Sequence, residues 1–116
     1  MESLVLLIEL RRTLLTAYFN QLAEQKNSAL GAPGTCFSVI DPVHDHYMLI
    51  RNGWINGHYI HRVLLHIDIN QETGQLWVMQ NSTEILPDQD LAEHGLRPED
   101  FVPGFRPAWM RQGTAA

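Results

Sequence analysis

The residues best suited to chemistry lie in a stretch of successive predicted β-strands in the middle of the chain. His66 and Asp68 alternate there with apolar residues, which places both side chains on one face of a strand. A histidine and a carboxylate at this spacing can hold a divalent metal ion or orient a catalytic imidazole. A structural metal site requires four ligands, and the nearest other residues of ligand type are His44, Asp45 and His46, at the far end of the preceding predicted strand. The sequence therefore favours a histidine hydrogen-bonded to a carboxylate, and it predicts neither a metal nor another cofactor.

A catalytic alternative would combine His66, Asp68 and Glu84 with a metal ion, in a hydrolase or nuclease subunit. Metal-dependent nuclease sites typically add a lysine close to their carboxylates, because it stabilises the charge that develops at phosphorus. The only lysine of this chain is Lys26. The only cysteine, Cys36, lies in an alternating strand, where a free cysteine is usually a small buried hydrophobe. We therefore predict no catalytic residues and a protein that is not an enzyme, with the metal-dependent hydrolase as the alternative.

Composition restricts the partners and the compartment. The chain has 13 acidic and 8 basic side chains and a net charge of −5. Proteins that bind nucleic acid through its phosphates generally need clustered lysine and arginine, so we expect a protein partner and no direct nucleic-acid binding. A single cysteine excludes an intramolecular disulfide and favours the reducing cytoplasm. The apolar run at residues 4–8 is interrupted by Glu9, Arg11 and Arg12, so it predicts neither a secretory signal nor a membrane helix.

The predicted fold class is α+β, with an N-terminal helix, a four-stranded antiparallel sheet and short C-terminal helices. A length of 116 residues fits one domain over residues 1–116. Apolar residues at spacings of three and four predict a helix over 4–25, and turn-forming residues predict a loop over 26–34. Asn56-Gly57 predicts a type I′ hairpin, and the short connections require antiparallel strands. The strands are predicted over residues 35–40, 46–55, 58–69 and 75–81. The short helices are predicted from Pro87 or Asp88 to Gly95 and over 97–100, with irregular chain from Phe105 to Arg111.

Alternation and side-chain size give further expectations for the sheet and the C-terminus. The third predicted strand should direct one set of side chains into the core: Tyr59, His61, Val63, Leu65, Ile67 and Ile69. Trp54 and Trp77 are expected to be buried, each with its indole N–H on a partner. Trp109 and Arg111 are residue types that dominate interface hot spots, so we expect them to contribute a contact surface near the C-terminus.

Several short motifs between residues 41 and 111 have an order and spacing that are specific as a set. They are Asp45-His46-Tyr47, Gly53-Trp54, His66-Ile67-Asp68-Ile69, Gly74-x-Leu76-Trp77-Val78-x-Gln80-Asn81-x-Thr83-Glu84, Leu91-Ala92 and Gly95-Leu96-x-Pro98-x-Asp100-Phe101-Val102-x-Gly104-Phe105. In these motifs the chain resembles the XisI family, the fdxN element excision controlling factor proteins of cyanobacteria. The resemblance implies the same α+β fold that the residue patterns predict.

The resemblance also implies an accessory role in programmed excision of a DNA element. Such a protein acts beside a site-specific recombinase and a second small protein, XisH, which is nuclease-like. We therefore expect a non-enzymatic controlling factor that binds an XisH-like protein and forms a homo-oligomer. The resemblance implies no active site, so its motif residues, together with the two C-terminal residues, are candidates for interaction: His46, Trp54, His66, Asp68, Trp77, Gln80, Asn81, Thr83, Glu84, Trp109 and Arg111.

Overall fold

The computed structural model describes residues 2–28 and 34–111. Its first element is the helix α1, Glu2–Ser28, which extends the predicted helix at both ends. The first residues of the predicted loop over 26–34 therefore belong to the helix. The rest of that loop, up to residue 33, lies outside the described residues.

The sheet confirms the predicted fold class but contains one more strand than predicted. The strands are β1 (Thr35–Asp41), β2 (His46–Ile55), β3 (His58–Ile69), β4 (Leu76–Asn81) and β5 (Phe101–Pro103). They lie side by side in chain order, and the first four are antiparallel as predicted. β5 pairs parallel to the far edge of β4, so the predicted count of four is wrong by one. A strand of three residues is too short to show the alternation by which strands are recognised.

One face of the sheet forms the core against α1, which contacts β1, β2 and β3. Leu15 and Phe19 of the helix are fully buried, and the Phe19 ring lies 6.3 Å from the ring of Tyr47 in β2. The predicted apolar stripe of α1 thus packs on the domain's own sheet. The other fully buried apolar residues of this core include Leu49, Leu65, Ile67, Leu76, Leu91 and Phe101.

Short C-terminal segments complete the domain. They are the helix α2 (Pro87–Asp90), 3-10 turns at Ala92–His94 and Pro98–Asp100, and the helix α3 (Ala108–Arg111). Gly95 follows the 3-10 turn at Ala92–His94 and ends this helical segment with a left-handed backbone (φ 88°), as predicted. Irregular chain was predicted where α3 forms, because a single turn of helix gives no periodic signal. None of the described helices is long and apolar enough to span a lipid bilayer.

A β-bulge in β3 changes which side chains face the core. Leu64 lies between the β3 partners of Leu49 and Ile50 and has no partner of its own in β2. Both Leu64 and Leu65 are buried. Because a bulge inserts one extra residue, the alternation reverses at this point. The prediction of one continuous core set is therefore wrong for the residues before the bulge, which lie on the opposite face: Tyr59, His61 and Val63.

The face opposite α1 remains largely uncovered over β1, β2 and β3 among the described residues, and we call it the outer face. Alternation along the strands and their register define its members: Phe37, Val39, His46, Met48, Ile50, Asn52, Trp54, Tyr59, His61, Val63, His66 and Asp68. Cys36, one residue before Phe37, points the other way and is buried as predicted. The outer face therefore combines aromatic, apolar and histidine side chains.

The hairpin between β2 and β3 has the predicted type I′ turn, since Asn56 and Gly57 have φ values of 51° and 78°. A Cβ atom added at Gly57 would meet no other atom within 4 Å, so only the backbone conformation would resist a substitution. We expect Gly57→Ala to lower the free energy of unfolding by about 1 kcal/mol, measured by chemical denaturation. Asn56→Gly should be within about 0.5 kcal/mol of wild type. Equal stability of Gly57→Ala and wild type would contradict the left-handed turn.

Candidate functional site

The hairpin register brings His46, His66 and Asp68 together on the outer face. His46, the first residue of β2, lies directly opposite Asp68 of β3. His66 precedes Asp68 by two residues and lies opposite Met48. The pairing of β2 with β3 is regular from His46 and Asp68 up to Leu49 and Leu65, before the bulge. The backbone therefore fixes the relative positions of all three side chains.

The carboxylate lies between the two imidazoles. Oδ1 of Asp68 is 2.9 Å from Nδ1 of His46 and 2.6 Å from Nε2 of His66. The hydrogen bond to Asp68 raises the pKa of His46 above its ordinary value, against the opposing effect of burial. The side chain of His46 is 49% exposed, and those of His66 and Asp68 are 25% and 24% exposed. The cluster is therefore accessible from solvent and already oriented.

A buried ion pair anchors the turn from which His46 projects. Asp45 is fully buried, and its two carboxylate oxygens accept hydrogen bonds of 2.9 Å from Nε and a terminal nitrogen of Arg12 in α1. The Tyr47 hydroxyl and the Gln71 amide also donate to this carboxylate. Burial alone would raise the pKa of Asp45, but these hydrogen bonds hold it below its ordinary value. Asp45 thus connects α1, the start of β2 and the chain after β3.

An aromatic group occupies the hairpin end of the outer face. The ring of Trp54 lies 5.4 Å from that of Tyr59, and the Tyr59 ring stacks on His61 at 6.5 Å. The Asn52 side-chain oxygen accepts a 2.6 Å hydrogen bond from the Tyr59 hydroxyl and is 3.0 Å from Nδ1 of His61. Trp54 is 72% exposed, so the prediction that it is buried is wrong. No described element covers this end of the sheet, because α1 packs on the other face.

Comparison with known proteins places the fold and motifs in one family. The family model described as XisI protein matches residues 7–115. The chain belongs to the XisI family. A crystal structure of a XisI-like protein from Anabaena variabilis is similar, with 30% identity, a TM-score of 0.69 and coverage of 96% of this chain and 94% of that one. The crystal structure of the fdxN element excision controlling factor XisI from the same organism shares the fold at 18% identity, with a TM-score of 0.71 and coverage of 90% and 92%. A comparison with curated proteins found no match.

The XisI-motif residues at the end of β4 and just after it are largely engaged in hydrogen bonds to the backbone. The Asn81 side chain donates to the Ile85 carbonyl and accepts from the Thr83 backbone and hydroxyl. The Thr83 hydroxyl oxygen in turn accepts from the Ile85 N–H, which is the turn role its position favours. Gln80 lies opposite His66 and donates a 2.7 Å hydrogen bond to the Val63 carbonyl. Gln80 is thus fixed beside His66, while Asn81 and Thr83 stabilise the turn.

Glu84 is exposed in the same turn and is not one of the clustered ligand-type groups of the described residues. Those groups are His46, His66 and Asp68, with ligand atoms all within 4.8 Å of one another. The set of His66, Asp68 and Glu84 suggested for the hydrolase alternative is therefore not the set that the fold assembles. His46, which the sequence placed at the far end of another strand, takes the third position.

The two remaining tryptophans of this XisI-family chain differ in their surroundings. Trp77, opposite Asp68 in the sheet, is partly buried, and the guanidinium of Arg111 lies 4.9 Å from the centroid of its ring. Its indole N–H has no hydrogen-bond partner among the described residues, in contrast to the prediction. Arg111 also donates from Nε to the Arg106 carbonyl at 2.6 Å. Trp109 is 80% exposed, so the described part of the domain does not cover it.

Proposed function

We propose that this chain is a non-enzymatic accessory protein that controls excision of a DNA element by binding another polypeptide. Its membership of the XisI family supports a role in excision control, as does its similarity to a protein named the fdxN element excision controlling factor XisI. The proposed partner is an XisH-like protein, and the proposed location is the cytoplasm. We further propose that the chain acts as a homo-oligomer.

The exposed aromatic side chains of the outer face carry the proposal that it works by docking. Trp54 is 72% exposed, Tyr59 55% and Phe37 40%, and all three belong to one sheet face. Large exposed apolar patches are rare on monomeric proteins and mark interaction sites. Tryptophan and tyrosine are also enriched among the few interface residues that contribute most binding energy. A flat sheet face with such side chains suits a protein surface better than a small substrate.

Charge indicates which partner is suitable. With a net charge of −5 and one lysine, the chain is poorly equipped to neutralise phosphates. The same charge complements a basic protein that handles DNA, since complementary potentials favour association and exclude unsuitable partners. The accessory protein would therefore reach DNA through its partner rather than through its own side chains.

Co-expression with an XisH-like protein should yield a stable complex that elutes together in size-exclusion chromatography. Trp54→Ala is expected to weaken the complex at least about 30-fold in calorimetric titration, because a tryptophan that acts as an interface hot spot typically contributes 2 kcal/mol or more. Leu10→Ala is the matched control, since Leu10 is similarly exposed (66%) but belongs to α1, behind the sheet. Separate elution of the two wild-type proteins would refute the proposed partnership, and equal weakening by both variants would refute the proposed face.

A further inference from the structure

The cluster of His46, His66 and Asp68 has the composition and spacing of a metal site with one open position. We propose that it binds one Zn²⁺ ion per chain, through Nδ1 of His46, Nε2 of His66 and a carboxylate oxygen of Asp68. This inference goes beyond the proposed function, because the three ligands belong to one chain and need no partner. The hydrogen bonds that now connect the imidazoles to Asp68 are the interactions that the ion would replace.

The distances between the ligand atoms are close to those that zinc requires. With zinc–ligand bonds of about 2.0–2.2 Å, two ligands of a tetrahedral site lie about 3.4 Å apart. The two distances to Oδ1 of Asp68, 2.9 Å and 2.6 Å, are slightly shorter than this. All three ligand atoms lie within 4.8 Å of one another. Small side-chain rotations would therefore open the cluster around an ion, with no change in the strand register.

The types of ligand select the metal. Magnesium and calcium prefer sites made of oxygen atoms, whereas imidazole nitrogens suit zinc and its neighbours in the first transition row. A pocket beside His46 and Asp68 also favours a cation. It is lined by two carboxylates, Asp68 and Glu72, together with Gln71 and Trp77, and no lysine or arginine lines it among the described residues.

The backbone around the ligands holds them in place, as a preorganised site requires. His46 and Asp68 are directly paired across two strands, and His66 lies on the same strand as Asp68. Next to His46, the buried Asp45 is fixed by Arg12 through two hydrogen bonds. Three protein ligands with one position open to solvent are typical of zinc sites that keep an exchangeable ligand, and water would complete the coordination here.

Isothermal titration of ZnCl₂ into the full-length chain without a histidine tag tests the site. Wild type should bind one equivalent. Substitution of a residue that hydrogen-bonds to a metal ligand typically weakens metal binding about 10- to 100-fold. Loss of a ligand itself in His66→Ala should therefore weaken zinc binding at least about 100-fold. Asp68→Asn, which preserves size, should weaken it comparably. The control is His61→Ala, because His61 is an exposed histidine of the outer face outside the cluster.

Titration with Co²⁺ gives a second measurement that does not depend on calorimetry. A four-coordinate site with these ligands should produce intense visible d–d absorption in wild type and His61→Ala, whereas His46→Ala and His66→Ala should show only the weak absorption of the hydrated ion. Circular dichroism would show that each variant retains the fold. Absence of a one-to-one zinc complex in wild type would overturn the proposal. So would zinc binding of wild-type strength by a folded His66→Ala or Asp68→Asn variant.

Discussion

Asp45→Asn is expected to lower the free energy of unfolding by about 3 kcal/mol. The carboxylate is fully buried and accepts hydrogen bonds from Arg12, Tyr47 and Gln71. Asparagine has the same shape but no charge, so Arg12 would lose its buried ion partner and keep the exposed Glu9, and one of the donors would face an amide N–H. Removing one partner of a buried ion pair typically costs 3–5 kcal/mol. The lower end applies here because the Arg12 side chain is 25% exposed and can regain some solvent.

The backbone cannot account for such a loss. Asp45 has a φ of 63°, and asparagine tolerates this left-handed conformation as well as aspartate does. The matched control is Asp41→Asn in the same turn, where the carboxylate is partly exposed and accepts from the backbone N–H groups of Val43 and His44. Asparagine can accept these bonds, so the control should differ from wild type by about 0.5 kcal/mol or less. Chemical denaturation curves of Asp45→Asn and wild type that coincide would contradict the role assigned to the ion pair.

The long elements of this fold, α1 and β1 to β4, could be predicted because each contains several periods of its hydrophobic pattern. The stripe along α1 and the alternation in β1 to β4 are long enough to show their period, and Asn56-Gly57 specifies the turn between β2 and β3. β5 could not be predicted because its three residues, Phe101–Pro103, are too few to alternate visibly. Its position beside β4 depends on tertiary packing of the C-terminal segment.

The candidate site could be predicted only in part, and the bulge at Leu64 is the reason. His66 and Asp68 share a face in any regular strand, and the sequence identifies them as a pair. An unbulged hairpin from Asn56-Gly57 would place Ile67 opposite His46, whereas the extra residue in β3 places Asp68 there. The adjacent apolar residues Leu64 and Leu65 are the one signal that the alternation changes, and many strands contain such pairs without a bulge.

The exposure of Trp54 and Tyr59 follows from the same shift and from the number of layers. Alternation without a bulge assigns Tyr59 to the core, whereas the bulge places it on the outer face. To bury the large side chains of both sheet faces, a second helix or sheet would be needed on the outer face. The described residues contain one long helix, and it covers one face. Residue size alone therefore predicted burial for Trp54, while the layer arrangement leaves it on the surface.

Phe19→Ala is expected to lower the free energy of unfolding by about 4 kcal/mol, since replacing a fully buried phenylalanine by alanine typically costs 3–5 kcal/mol. Phe19 is 0% exposed and lies between the Tyr18 ring at 5.9 Å and the Tyr47 ring at 6.3 Å. Because α1 is the only long helix on the inner face among the described residues, no neighbouring element can move in to fill the cavity. Thermal and chemical denaturation would both measure the loss.

Leu10→Ala separates loss of packing from loss of helix-forming tendency, because both substitutions place alanine in the middle of α1. Leu10 is 66% exposed, so its replacement removes little buried area and should change stability by about 0.5 kcal/mol or less. The effect of Phe19→Ala then reports how tightly α1 is held against β2. Tyr47 contacts Phe19 with its ring and Asp45 with its hydroxyl, so the two large effects share a partner. The free energy of unfolding lost in the double variant Asp45→Asn/Phe19→Ala should therefore depart from the sum of the two single losses by about 0.5 kcal/mol or more. Strict additivity would show that the helix packing and the buried ion pair act independently.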